Sequence, residues 1–117
     1  MCAEVIDLTE LLERVENDHE LLLELIDIFL QDCPQKIQAM RRAADAKEYT
    51  QLQELAHSLK GASGNISAKA MRELFLEIEN MAKAQDASDM QRSFDAVDAQ
   101  HADLQKYFPQ LKAKLST

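Results

Sequence analysis

His57 is followed by Lys60 at i+3, Gly61 at i+4 and Gly64 at i+7, and these two glycines are the only ones among 117 residues. An ordinary imidazole, with a pKa of about 6.5, is partly neutral at cellular pH. Its free ring nitrogen is then a nucleophile competent toward an activated phosphoryl group. A glycine inside a helix costs about 1 kcal/mol relative to alanine. A chain that confines glycine to this stretch therefore points to a need for bare backbone beside that imidazole.

Tyr49, Leu52, Leu55, Ala56 and Leu59 form one apolar helix face at about 100° per residue, and His57 lies roughly 135° from its centre, facing water. Lys60, Gly61 and Gly64 fall on or beside the same exposed stripe, because residues three and four apart are helix neighbours. A plainer reading also fits part of the pattern: the glycines stop the helix, Gly64-Asn65 makes the turn, and Lys60 complements the helix dipole. That reading accounts for Gly64 better than for Gly61, and it leaves His57 unexplained. Of the other histidines, His19 reads as solvated in a first helical turn, and His101 as a partly buried structural residue between Val97 and Leu104.

Helices must position this stripe. Asp7-Leu8-Thr9-Glu10 has capping-box spacing, with Ile6 and Leu11 as a hydrophobic staple, which predicts a short helix over about 7–15. Asn17-Asp18-His19-Glu20 repeats the signal and opens a helix over about 18–45, with Leu22, Leu25, Ile26, Phe29, Cys33, Ile37, Met40 and Ala44 on its apolar face. Pro34 lies inside it, and the unbroken phase predicts a kink near 30–34 rather than a stop. A third helix over about 47–63 carries His57. Ser67 reads as the N-cap of a fourth, with Ile66 and Met71 at staple positions and an apolar face of Met71, Leu74, Phe75, Ile78, Met81 and Ala82. Ser88-Asp89-Met90-Gln91 is a further capping box before Phe94, Val97, His101, Leu104, Phe108, Leu111 and Leu115, a bundle seam that Pro109 is expected to interrupt and restart. Short connections between amphipathic helices predict an all-α, antiparallel up-and-down four-helix bundle with a short extra N-terminal helix, and residues 1–117 read as one domain.

Composition agrees. Two glycines and two prolines leave little material for the turns of a β fold. A formal charge of −8 argues against nucleic acid. Cys2 and Cys33 give neither a disulfide framework nor metal spacing, which favours a reduced, cytoplasmic chain. The most apolar segment, Leu21–Leu30, is too short to span a bilayer, is interrupted by Glu24 and Asp27, and no basic leader follows Met1. No glycine-rich phosphate loop follows a strand and no kinase motif set is present, so the chain is not expected to phosphorylate itself from ATP.

His57-Ser58-Leu59-Lys60-Gly61, then Asn65 and Ala68, resembles the signature of the histidine-containing phosphotransfer (HPt) domain, in which His-x-Leu-Lys-Gly is followed by small residues and usually Gly-Ala. Ser67 stands where that last glycine is usual, so a slightly altered turn is expected. The resemblance covers nearly the whole chain and implies a carrier rather than an enzyme. In it, the outer nitrogen of His57, Nε2, attacks a receiver-domain phosphoaspartate, while the other ring nitrogen keeps its proton and needs an acceptor. In many relatives that acceptor is a glutamine or glutamate twenty-two residues on, here Glu79. Lys60 would counter charge on the transferred group, with Lys69 and Arg72 nearby in sequence, and Gly61 and Gly64 would let the partner approach. The partners implied are response-regulator receiver domains and a hybrid sensor histidine kinase. No cofactor or metal site is expected on this chain, with Mg²⁺ belonging to the receiver, and the protein reads as a monomer. Two alternatives stay open: the phosphorylatable domain of a chemotaxis-type kinase, labelled in trans from ATP, and a helical adaptor without chemistry. A metalloprotein or hydrolase lacks any ligand constellation.

Overall fold

Side-chain caps open the first two helices, and one backbone device closes the first four. In the computed structural model, which describes residues 5–115, the helices are α1 (Leu8–Arg14), α2 (His19–Asp45), α3 (Tyr49–Asn65), α4 (Lys69–Lys83) and α5 (Met90–Leu115). Cys2 lies outside the described residues. Asp7 caps α1, its carboxylate accepting the Glu10 N–H at 3.1 Å, and Ile6 and Leu11 are buried as the staple requires. The reciprocal half of the capping box is not made. The Asp7 N–H donates instead to the Ser67 carbonyl at 2.9 Å. Asp18, one residue later than the sequence pattern suggests, caps α2 by accepting the Leu21 N–H at 3.0 Å.

The C-termini share one device. Helices α1 to α4 each stop on a residue in the left-handed region: Glu16 (φ 53°), Lys47 (φ 58°), Ser67 (φ 58°) and Gln85 (φ 54°). After α3, the Ser67 N–H bonds to the Gly64 carbonyl at 3.1 Å and the Ala68 N–H to that of Ser63 at 2.9 Å, the paired bonds of a Schellman stop. The same pair recurs at Lys47 and Glu48, and at Gln85 and Asp86. Glycine is the usual occupant of this position because it has no Cβ, yet none of these four is glycine. Ser67 is therefore the stop of α3 and not the N-cap of α4. Ala68 takes the cap position without a side-chain bond. The Ser67 hydroxyl instead donates to Glu10 Oε1 at 2.9 Å. Nor does Gly64-Asn65 form a turn, because α3 runs through both residues.

Helix α2 continues through Pro34 and α5 through Pro109, so neither proline stops its helix and Pro109 does not restart one. Pro34 has no N–H for the Leu30 carbonyl. The His101 ring of α5 faces that carbonyl. The Ser88 box is not used either: Asp86 accepts the Ser88 N–H at 3.0 Å, and α5 begins at Met90.

Four helices close a ring in which α2 packs on α3, α3 on α4, α4 on α5 and α5 back on α2, while α1 packs on α2. Contacts such as Lys36 to Ser58, His57 to Glu79, and both Arg41 to Asp98 and His19 to Leu115 set neighbouring helices antiparallel. This is the up-and-down bundle with an extra N-terminal helix. Leu22, Ile26, Phe29, Cys33, Ile37 and Met40 line the core from α2, facing Leu52, Leu59, Met71, Phe75, Ile78, Val97, Leu104 and Leu111. Leu25 and Ala44, expected inside, are half-buried at the edge, and Ala43 is buried instead. Among the described residues no helix is long and apolar enough to cross a membrane.

Candidate functional site

The α3–α4 hairpin places His57 on the outer surface of α3, its side chain 68% exposed, opposite Glu79 on α4. His57 Nδ1 lies 3.0 Å from Glu79 Oε2. With Nδ1 engaged, Nε2 is the nitrogen left toward solvent. Gln53, Glu54, His57 and Glu79 line a shallow open depression around the ring.

Glu79 sits on the buried face of α4 between Ile78 and Ala82, only 5% of its side chain exposed. A carboxylate so placed needs partners to remain charged. Lys60 Nζ provides one, 2.9 Å from Oε1, with its own side chain 20% exposed. Lys83, one turn along α4, approaches Oε2 at 4.0 Å. Its ion pair with Lys60, opposed by burial and helped by the His57 hydrogen bond, holds the Glu79 carboxyl below the usual glutamate range. Glu79 thus ties together the imidazole and the cation that the sequence placed on one stripe.

That geometry fixes where the Lys60 ammonium lies. Its charge faces Glu79, so its contact is with the carboxylate that holds the ring rather than with anything beyond the ring. The other cations expected near the motif are engaged elsewhere. Lys69 pairs with Asp7 at 3.1 Å and Glu10 at 2.9 Å, binding α4 to α1. Arg72 pairs with Glu73 at 3.3 Å.

The two glycines also part company. Both are helical with negative φ, so neither is present for backbone freedom. A Cβ at Gly61 would meet nothing within 4 Å, whereas one at Gly64 would touch Arg72 Cδ at 3.4 Å. Gly61 is bare surface one turn from His57, and Gly64 is roofed by Arg72, with its carbonyl accepting from Arg14 at 2.9 Å.

Two cations escaped the sequence reading. Lys83 stands at i+4 from Glu79, a spacing that a helical wheel of α4 would reveal. Lys36 comes from α2 and donates to Ser58 Oγ at 3.3 Å, a pairing between helices that no local pattern announces. His19 is exposed and His101 half-buried, its pKa lowered chiefly by burial. Cys33 is buried, which pushes its thiol up to about 12. Among the described residues no group of three or more histidine, cysteine or acidic side chains could hold a metal ion.

An exposed imidazole fixed through Nδ1 on a helical hairpin defines a class of histidine-presenting bundles, and comparison with known proteins gives that class its family. The Hpt domain family model matches residues 24–113, and the chain belongs to this family. Histidine-containing phosphotransfer protein 2 of Arabidopsis thaliana is 25% identical over 95 residues, which cover 77% of this chain and 61% of that protein's length. The crystal structure of histidine-containing phosphotransfer protein B from Pseudomonas aeruginosa PAO1 shares the fold, with a TM-score of 0.86, 22% identity and coverage of 97% of this chain and 98% of that one. So does the HPT domain of a Shewanella sensor hybrid histidine kinase, with a TM-score of 0.78, 19% identity and 97% of each chain covered.

Proposed function

We propose that this chain is a phosphocarrier in which His57 accepts a phosphoryl group from a receiver-domain phosphoaspartate and passes it to another receiver aspartate. The observation that carries the reading is the asymmetry of the ring: Nδ1 is held at 3.0 Å by Glu79 Oε2, and the side chain is otherwise 68% exposed. A proton kept on Nδ1 leaves the lone pair on Nε2.

In the forward step that lone pair attacks phosphorus. The N–P bond forms as the bond from phosphorus to the aspartate oxygen breaks, and the electron pair leaves with the aspartate carboxylate. Onward transfer is the same step reversed on another receiver. Positive charge grows on the ring as the N–P bond forms, and Glu79, a fixed carboxylate, stabilises it through the Nδ1–H hydrogen bond. Glu79 and Lys60 act here as positioning residues, and Gly61 keeps the approach to Nε2 clear. The metal and the remaining groups at the aspartate belong to the receiver. The reading makes this chain a cytoplasmic monomer.

The test is incubation with a phosphorylated receiver and Mg²⁺, wild type beside His57→Gln, with assay for an acid-labile, base-stable phosphoryl group on this chain. Label on the wild type alone is the expected result. Label on neither across a panel of receivers overturns the reading, and label from a kinase and ATP with no receiver present moves it to a kinase substrate domain.

A further inference from the structure

Resting on that reading, we propose that Lys36 is a specificity-determining residue of the transfer site, a cation on α2 that pairs with an acidic group on the rim of the receiver's phosphorylation site. Two cations close to His57, Lys60 and Lys83, already face Glu79. Lys36 differs. It donates to the Ser58 hydroxyl at 3.3 Å, a neutral group on the residue that follows His57, and no carboxylate lies within ion-pair distance of it among the described residues. Asp32, one turn back on the same groove, is the nearest acid in sequence and is not paired with it.

The need for such a charge follows from the partner's chemistry. A phosphoaspartate site assisted by a divalent ion is built from carboxylates, because magnesium is bound through carboxylates and phosphate oxygens. This chain carries a formal charge of −8. Two acidic surfaces repel unless positive charge stands where they meet. Lys36 lines the groove between α2 and α3 together with Ile28, Phe29 and Ala62, and Ile28 is 49% exposed. The groove gives a partner apolar surface to cover, and Lys36 sets the electrostatic register at the end nearest His57.

A rim charge acts on encounter more than on chemistry. With a phosphorylated receiver as donor, Lys36→Gln is therefore expected to raise KM by about two- to fivefold, to leave kcat unchanged and to flatten the dependence of kcat/KM on NaCl. Lys36→Arg should restore both, and Lys36→Glu should raise KM further. The decay rate of isolated phosphohistidine should be the same in all four proteins, and so should the circular dichroism melts. Wild-type KM and salt dependence in Lys36→Gln overturn the inference. So does a fall in kcat with KM unchanged, or faster phosphohistidine decay, since either places Lys36 on the phosphoryl group itself. A wild type that takes no label from any receiver removes the functional reading, and this inference with it.

Discussion

Lys60 Nζ lies 2.9 Å from Glu79 Oε1, on the carboxylate whose other oxygen holds the His57 ring at 3.0 Å. One buried acid thus answers two bases, and the substitutions at its three corners should not be equivalent. Glu79→Ala leaves the partly buried Lys60 ammonium without its counter-charge and the ring without its acceptor. It is expected to lose about 1–3 kcal/mol of stability as well as transfer rate. Glu79→Gln keeps an oxygen for the Nδ1–H, so transfer should fall less than in Glu79→Ala. Lys60→Ala is expected to slow transfer without abolishing it. Rapid-quench transfer assays beside urea denaturation separate the cases. Equal transfer rates in Glu79→Gln and Glu79→Ala would remove ring orientation from the account.

The same carboxylate predicts an acid limb in the stability curve. Its folded pKa is below the unfolded value, so the unfolded chain binds the extra proton first as pH falls. The contribution is present above the unfolded value of about 4.5 and is lost as pH drops through the folded pKa. Urea midpoints of the wild type should fall through this range more steeply than those of Glu79→Gln. A parallel fall would place the acid sensitivity elsewhere, for example at Asp7 or Glu10, which are also shifted down.

His101 supplies a second and separate window. It is half-buried between α2 and α5, with Nε2 unpartnered, Asp98 on its own helix and the Leu30 carbonyl facing it from α2. Burial lowers its folded pKa beneath the unfolded value, although Asp98 and Leu30 both oppose the shift. The unfolded chain thus takes up the proton first, and stability falls as pH drops through about 6.5. His101→Gln should remove the slope that begins as pH falls below about 6.5 while leaving the lower limb in place. Calorimetric melts of both proteins across this range decide it, and an unchanged slope in the variant would remove His101 from the account.

How much of this was readable in advance depends on the range of the forces involved. Although Leu25 and Ala44 lie at the edge, the helices, most of the apolar seams and the exposure of His57 follow from periodicity, which is local, and stand as expected. The stops do not. Ser67 has the residue type of an N-cap, but the Schellman bonds to Ser63 and Gly64 require a left-handed residue there, and Glu10, fifty-seven residues away, takes its hydroxyl. Lys60 was placed correctly on its stripe, yet its partner could be known only once α4 lay against α3. Lys36 was invisible for the same reason. The sequence set Gly64 apart only as a candidate helix stop, which it is not, and the packing of Arg72 against it could be known only once α4 lay against α3.

Ser67 itself gives a prediction in which two effects nearly cancel. A left-handed conformation costs a residue with a Cβ about 1–2 kcal/mol, which glycine escapes. Against that, Ser67→Gly loses the hydroxyl bond to Glu10, worth about 0.5–1.5 kcal/mol, and gains freedom in the unfolded chain. The net change should be within about 0.5 kcal/mol. Ser67→Ala keeps the strain and loses the bond, and should cost about 1 kcal/mol. Denaturant titrations of the pair check this, and a stabilised Ser67→Ala would show that the Glu10 contact carries nothing.

Gly61 offers the sharpest separation of function from fold. Four helix stops adopt left-handed conformations without glycine, while the chain places one of its two glycines inside α3 at a position where an added Cβ meets nothing. Folding alone would favour alanine there, by about 0.5–1 kcal/mol. The residue is thus suboptimal for the isolated protein, and on the proposed function it serves as bare surface one turn from His57 for a partner to approach. Gly61→Ala should melt at a higher temperature than the wild type and transfer more slowly, with the deficit in KM, and Gly61→Gln should transfer more slowly still. Gly64→Ala, whose Cβ would rest against Arg72 rather than face a partner, should leave transfer unchanged. A Gly61→Gln variant that transfers at the wild-type rate would return Gly61 to the status of an unexplained helix weakness.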